Sequence, residues 1–211
     1  YYTRAGNFAF DSMGNLVNPS DDSVVQGWIA ASNGKINTNT ELTNVTIPIN
    51  LTIEPNATRK VSYSGNLPSD ASIGDLFYAP IQIIDSQGNS HDLTIEFEKT
   101  ANNTWSWTVT TPASASGSGT ITFNPNGSID TITGGSITYN PTGADPMTVE
   151  PNFGTVDKID GVTQFATDAT IAAISQNGNV SGTLQSISIG GNGEITGVFS
   201  NGQNKVLGQI A

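Results

Sequence analysis

Through the middle of the chain apolar and polar residues take turns. Leu93, Ile95 and Phe97 fall on one side of a run, and Thr94, Glu96 and Glu98 fall on the other. Trp105, Trp107 and Val109 alternate in the same way with Ser106, Thr108 and Thr110. Every-second-residue alternation is the signature of a strand with one packed face and one wet face. The two runs predict a hairpin that reverses at Thr100–Asn103. Ile121/Phe123 and Ile137/Tyr139 extend the pattern, and Asn7-Phe8-Ala9-Phe10 shows it near the start. Helical periodicity is scarce, because β-branched residues dominate and Gly interrupts most windows. Thr167–Ser175 is the one short helix expected.

Between the apolar runs one local device recurs, an Asp/Asn-x-x-Gly turn. It stands at Asp11-Ser12-Met13-Gly14, Asp85-Ser86-Gln87-Gly88 and Asn124-Pro125-Asn126-Gly127, with a looser form at Gly190-Gly191-Asn192-Gly193. Asp and Asn bond their own backbone in such turns, and Gly supplies the left-handed φ that a tight reversal needs. The spacing between copies is irregular, which excludes a solenoid. Strands joined by tight turns predict an all-β fold with very little helix.

Composition then suggests how the strands divide. Asn33–Asn44 is polar and reads as a loop. Pro55–Asp75 scatters Pro, Asn, Ser and Gly and reads as a crossing between domains. Pro112–Gly119 reads as a flexible surface loop, and Asn140–Pro146 as another turn-rich stretch. The texture changes again near Asp157–Gly161, and the last fifty or so residues resemble the first in style. Two β domains are expected. Residues 1–52 and 156–211 form a discontinuous first domain, and 53–155 form a second domain inserted into it. The chain opens inside one apparent strand and closes on another, Val206–Ala211, so a fragment of a longer protein is expected rather than a processed mature chain.

Charge and cysteine content narrow the function classes. The 211 residues carry seven Lys and Arg against 18 Asp and Glu, a formal net charge of −11. That balance offers no basic face for nucleic acid or for an anionic membrane. There is no cysteine, hence no disulfide and no thiolate metal site. No apolar run is long enough to span a bilayer as a helix, and the start shows no charged segment followed by an apolar core.

Residues with possible chemistry do not converge. His91 is the only histidine, so a metal site or a Ser/His/Asp relay would have to use it with Asp85 or Asp92. Its place beside a turn favours a turn role. Glu96 and Glu98 could pair as glycosidase carboxylates near Trp105 and Trp107, yet they point away from the apolar face of their own strand. Asp11–Asn15 and Ser20-Asp21-Asp22-Ser23 are too sparse for a calcium loop. Gly190–Gly193 lacks the helix and Lys of a phosphate loop. The sequons Asn44-Val45-Thr46 and Asn56-Ala57-Thr58 carry weight only in a secreted eukaryotic protein. The reading is therefore no enzyme, with no catalytic, cofactor or metal residues. Exposed Trp28, Trp105 and Trp107 in a groove would instead mark an adhesin or carbohydrate-binding module.

The chain resembles the bacterial flagellar hook protein family. The opening Tyr1-Tyr2-Thr3-Arg4-Ala5-Gly6-Asn7-Phe8, Asp11, Gly14, Leu16-Val17 and Gln26-Gly27-Trp28 match a pattern of flagellar axial proteins. Ile84–Leu93, with Asp85-Ser86-Gln87-Gly88-Asn89-Ser90-His91, is similar to a hook-specific stretch. Asn66-Leu67, Thr163-Gln164-Phe165, Gln176-Asn177-Gly178 and Ser181-Gly182-Thr183-Leu184 follow in the expected order. The ending Ser200-Asn201-Gly202-Gln203 with Leu207-Gly208-Gln209-Ile210-Ala211 narrows the match further, while Gly143–Thr155 departs from the family. The resemblance implies two outer β domains of a structural subunit, and a self-assembling curved tube that acts as a universal joint between motor and filament. The implied partners are other hook subunits, the rod, the hook cap and the hook-associated junction proteins. It further implies an extracellular place at the flagellar hook, type III export without a cleaved signal peptide, and a fragment that by itself is monomeric.

Overall fold

A computed structural model describes residues 7–211. Among these residues the chain forms nineteen strands and no helix. It separates into two compact units, residues 1–54 with 181–211, and residues 55–180. The opening residues 1–6 of the flagellar-like pattern lie outside the described residues.

The first unit begins with a three-stranded antiparallel sheet of β1 (Ala9–Phe10), β2 (Leu16–Asn18) and β3 (Ser23–Val24). β4 (Gln26–Ile29), β5 (Thr43–Asn44) and β6 (Thr52–Ile53) follow. Between β5 and β6, Val45 and Ile47 are buried; the Val45 carbonyl accepts the Leu16 amide of β2, and the Ile47 amide donates to the Gly14 carbonyl in the β1–β2 turn. A side chain at Gly14 would meet the Ile47 carbonyl oxygen at 2.3 Å, and its φ is +84°, so only glycine fits this crossing.

The second unit opens on β7 (Lys60–Asn66) and then builds a long meander. β8 (Leu76–Ile84), β9 (Ser90–Ala101), β10 (Thr104–Thr111), β11 (Ser118–Phe123) and β12 (Ile129–Ile132) form one antiparallel sheet in sequence order. β13 (Ile137–Tyr139) and β14 (Met147–Asn152) start a second sheet. β7 pairs parallel with β14, parallel with β15 (Val162–Thr163) and antiparallel with β16 (Ala172–Gln176).

The hairpin of β9 and β10 sits where alternation puts it. Leu93, Ile95, Phe97, Trp105, Trp107 and Val109 are buried, and Trp107 pairs with Phe97 in register. Both sheets contribute to one core, in which Phe153 packs 5.8 Å from Phe97 and 5.4 Å from Trp107, centroid to centroid. Each large side chain removed from water here contributes about 1.5–3 kcal/mol.

The chain then returns to the first unit. β17 (Gly182–Ile189), β18 (Glu194–Phe199) and β19 (Asn204–Ile210) complete a six-stranded sheet in the order β5-β4-β19-β18-β17-β6. Ile195, Phe199 and Leu207 from this sheet share a core with Leu16, Val45 and Ile47.

Four expectations change. Ala172–Gln176 is a strand paired with β7, not part of a helix spanning Thr167–Ser175. Pro55–Asp75 is not a crossing segment, since it holds β7, the strand on which the second sheet is organised. The boundary placed at 155/156 falls inside the second unit, which continues to residue 180 because β15 and β16 both pair with β7. The Pro112–Gly119 stretch is also anchored, with Ala115 buried and Ser116 bridged to Thr138.

One loop geometry recurs at six turns. In Asp11–Asn15, Ala31–Lys35, Asp85–Asn89, Asn124–Ser128, Gly190–Glu194 and Phe199–Gln203 the first amide donates to the fifth carbonyl. In each the fourth residue, a glycine, donates back to the first carbonyl. Those glycines have φ between +75° and +88°. This is a type I turn closed by a left-handed residue, a common three-residue hairpin loop.

Candidate functional site

The residues with most chemistry gather at the β8–β9 turn. Asp85 is fully buried. Its carboxylate accepts the backbone amides of Gln87 and Asn89 at 2.8 and 2.9 Å, and the Asn89 side-chain amide. His91 Nε2 lies 2.7 Å from Asp85 Oδ2, and His91 Nδ1 lies 3.0 Å from the Tyr139 hydroxyl. A neutral imidazole satisfies both neighbours at once, with Nε2–H donating to the carboxylate and Tyr139 donating to Nδ1. Burial pushes the Asp85 carboxyl up, but hydrogen bonds from His91, Asn89 and Gln87 outweigh it and hold the group at about 2.

This chain of side chains has the order of a proton relay without its outlet. Tyr139 belongs to β13 and is buried in the core, so the relay ends inside the protein and not at a substrate. It does link the turn of one sheet to a strand of the other. The Ser86 hydroxyl adds to the link by accepting the Asp145 amide at 2.9 Å. The arrangement can hold two sheets in register.

The other candidates separate. Trp105 and Trp107 are buried while Glu98 is exposed and Glu96 half-exposed on the opposite face, so no carboxylate pair meets an aromatic platform. The Trp28 indole is half-buried, with its N–H bonded to the Thr40 carbonyl at 2.9 Å. Asp11 spends its carboxylate on the side chain and amide of Asn15 and the amide of Met13, which lower its pKa. Asp21 accepts the Ser23 amide, and Gly190–Gly193 is a hairpin loop. Asn44 lies on β5, and the Asn56 side chain donates to the Asn177 carbonyl. Asp92 pairs with Gln82 across the hairpin. Among the described residues no group of three or more His, Cys, Asp or Glu is placed to hold a metal ion.

The family-like motifs, distant in sequence, meet in space and bond one another. Gly27 and Trp28 of β4 pair with Ile210 and Gln209 of β19, and a side chain at Gly27 would meet the Gln209 carbonyl oxygen at 2.1 Å. Gln164 accepts the Trp105 indole N–H at 2.8 Å and donates to Asn103 at 2.8 Å. The Asn66 side chain accepts the Phe165 amide at 2.8 Å and donates to carbonyls of the 165–168 loop. Asn177 Oδ1 accepts the amides of Arg59 and Lys60, each at 2.9 Å. Thr183 N–H donates to the Ser200 hydroxyl at 3.0 Å. The buried Asn66 and Gln164, satisfied in this way, fix one arrangement of their loops.

Two contributors were missed from sequence. Tyr139 read only as a core position, although it is also the partner of His91. Lys99 is buried, with Nζ 2.5 Å from the Ser69 carbonyl oxygen and 5.4 Å from the Trp105 ring centroid. Its signal was present, because it continues the inward series Leu93, Ile95, Phe97.

Against this background the relatives are informative. Residues 68–179, just over half the chain and wholly within the second unit, match the family model described as Flagellar basal body protein FlaE D2 domain. That defines the class, a flagellar protein carrying this D2 domain. The chain belongs to the flagellar hook protein FlgE family. It is 31% identical over its whole length to the flagellar hook protein FlgE of Borreliella burgdorferi and 30% identical to that of Escherichia coli, spanning 55% of each. A crystal structure of the Helicobacter pylori flagellar hook protein FlgE2 shares the fold, with a TM-score of 0.69 at 14% identity, over 99% of this chain and 80% of that one. The chain thus spans about 55% of the length of the curated relatives it matches. The family is structural and not enzymatic.

Proposed function

We propose that the chain supplies the two outer β domains of a subunit of the bacterial flagellar hook, with residues 1–54 and 181–211 as one domain and 55–180 as the other. In the full-length protein many copies assemble into a short curved tube that joins the motor and rod to the filament. Its partners are other hook subunits, the rod, the hook cap and the junction proteins, and its place is outside the cell. The observation that carries this reading is the fate of the family motifs. They are spent on closing sheets and loops within each unit, as a rigid building block requires.

Physical reasoning supports the same role. A tube that rotates while bent must lengthen and shorten each row of subunits once per turn. Rigid subunits with exchangeable contacts meet that demand. Among the described residues the one basic side-chain nitrogen within 4 Å of a carboxylate is His91 Nε2 beside Asp85, and that contact is internal to the unit. The outer face of the β8–β12 sheet is instead rich in hydroxyls, with Ser106 paired to Thr120 and Thr104 to Thr122. Hydroxyl and amide surfaces bond through water and exchange neighbours at low cost, whereas desolvated ion pairs would fix one register. The buried Trp105 and Trp107 remove the aromatic groove that an adhesin or carbohydrate-binding module would need.

Assembly in this proposal is driven by the parts of the full-length subunit beyond this chain. The 211-residue chain is therefore expected to sediment as a monomer at micromolar concentration. Spontaneous tubes or fibres in sedimentation velocity or light scattering would refute that division of labour.

A further inference from the structure

We infer that Asn33 is a site of spontaneous deamidation, set apart by the fold from four other Asn–Gly steps of the same intrinsic chemistry. The sequence contains Asn33-Gly34, Asn126-Gly127, Asn177-Gly178, Asn192-Gly193 and Asn201-Gly202. An Asn–Gly step reacts when the glycine nitrogen, losing its proton to hydroxide, attacks the Asn side-chain carbon Cγ. The Cγ–Nδ2 bond breaks, ammonia leaves and a five-membered succinimide remains. Water then opens either carbonyl of the ring, giving aspartate or isoaspartate at that position. Glycine permits the attack because no side chain blocks the nitrogen. Ring closure still requires the carboxamide and the following peptide to rotate together, so whatever pins them slows the reaction.

Four of the five steps are pinned by a distant part of the chain. Gly127 accepts the Gln164 amide, and the Phe165 ring lies 2.4 Å from where its side chain would begin. Asn177 is held by the amides of Arg59 and Lys60, and its carbonyl accepts Asn56 Nδ2. The Asn192 carbonyl accepts Gln209 Nε2, and the Gly193 carbonyl accepts the Ile210 amide. The Asn201 carboxamide packs against Gly182, 2.6 Å from the position of an added side chain.

Asn33 differs. It is exposed, and among the described residues the hydrogen bonds of Asn33 and Gly34 stay inside the Ala31–Lys35 turn. Gly34 has open space around it, as Gly202 does, but among the described residues its asparagine, unlike Asn201, packs against no distant glycine. Opening one surface turn suffices there, whereas the other steps must also detach from a neighbouring segment. Local openings of exposed turns are the least costly in a protein. The product adds a negative charge, and as isoaspartate an extra backbone carbon, in the turn that follows β4.

The test is peptide mapping by mass spectrometry of the folded chain aged at mildly alkaline pH, with heavy-oxygen water to mark the sites. Position 33 should convert about tenfold faster than positions 126 and 177 in the folded protein. In urea the five rates should converge, because the fold no longer distinguishes them. Asn33→Gln should remove the early product. Conversion at Asn126 or Asn177 keeping pace with Asn33 in the folded protein would overturn the inference. So would a rate order that persists unchanged in urea.

Discussion

Trp105→Ala should lower the stability of the second unit by about 3–5 kcal/mol, the usual cost of truncating a large buried aromatic. Trp105 is fully buried on the inward face of β10, 5.7 Å from the Phe77 ring and beneath the Lys99 ammonium. Its removal leaves a cavity between strands that short turns hold in place, so the walls cannot collapse to fill it. It also strands the Gln164 carbonyl oxygen, which accepts the indole N–H. Trp105→Phe separates the two losses, since it retains much of the volume and should cost about 1–3 kcal/mol for the unpaired group. Denaturant unfolding followed by circular dichroism would measure both. A midpoint unchanged in Trp105→Ala would contradict a core built around this hairpin.

Asp85→Ala should be nearly as damaging, at about 2–4 kcal/mol, because it leaves the amides of Gln87 and Asn89 without their acceptor and frees His91 from the turn. Asp85→Asn should be milder, since the amide oxygen still accepts. His91 would then need the other tautomer, with Nε2 accepting and Nδ1–H donating to Tyr139. The carboxylate also predicts an acid dependence. Its folded pKa of about 2 lies below the ordinary 3.8, so the unfolded chain binds the proton more tightly. Its contribution to stability is complete above the ordinary value and disappears as pH falls toward about 2. Asp85→Ala should therefore lose less stability than the parent between about pH 4 and 2. Equal losses in parent and variant across that interval would show that Asp85 is not held as described.

How much of this was legible depends on how local each signal was. The β9–β10 hairpin could be read because Leu93, Ile95, Phe97, Trp105 and Trp107 alternate without a break. The turns could be read because Asp and Asn with a following Gly specify their own backbone geometry. Alternation also carried information that went unused, since the inward series ends on Lys99. What could not be read was non-local. β7 alternates too, with Val61 and Tyr63 buried, but Pro, Asn and Ser around it give the stretch the composition of a linker. Its partners β15 and β16 lie about a hundred residues away, and no nearby residue announces a pairing of that span. Hence a boundary at 155 leaves out the last two strands of the second unit. Ala172–Gln176 is short and mostly exposed, so neither strand nor helix periodicity could establish itself.

The chemistry followed the same rule. His91 and Asp85 lie six residues apart around one turn, so the sequence offers Asp85, along with Asp92, as the partner of His91. Tyr139, which completes the chain, arrives from another strand of the opposite sheet. Likewise each hook-like motif was visible by itself. That Gln26-Gly27-Trp28 lies along Gly208-Gln209-Ile210 became visible only when β4 and β19 were seen side by side.

A cryo-electron microscopy reconstruction of the assembled hook made from the full-length protein would test the central claim most directly. The account predicts density into which each unit fits as a rigid body, with its sheets and motif closures unchanged between the inner and outer sides of the bend. Contacts between copies should be polar, hydrated and shifted from one side to the other. Rearranged strands within either unit, or large dry ion-paired contacts repeated identically around the curve, would contradict it.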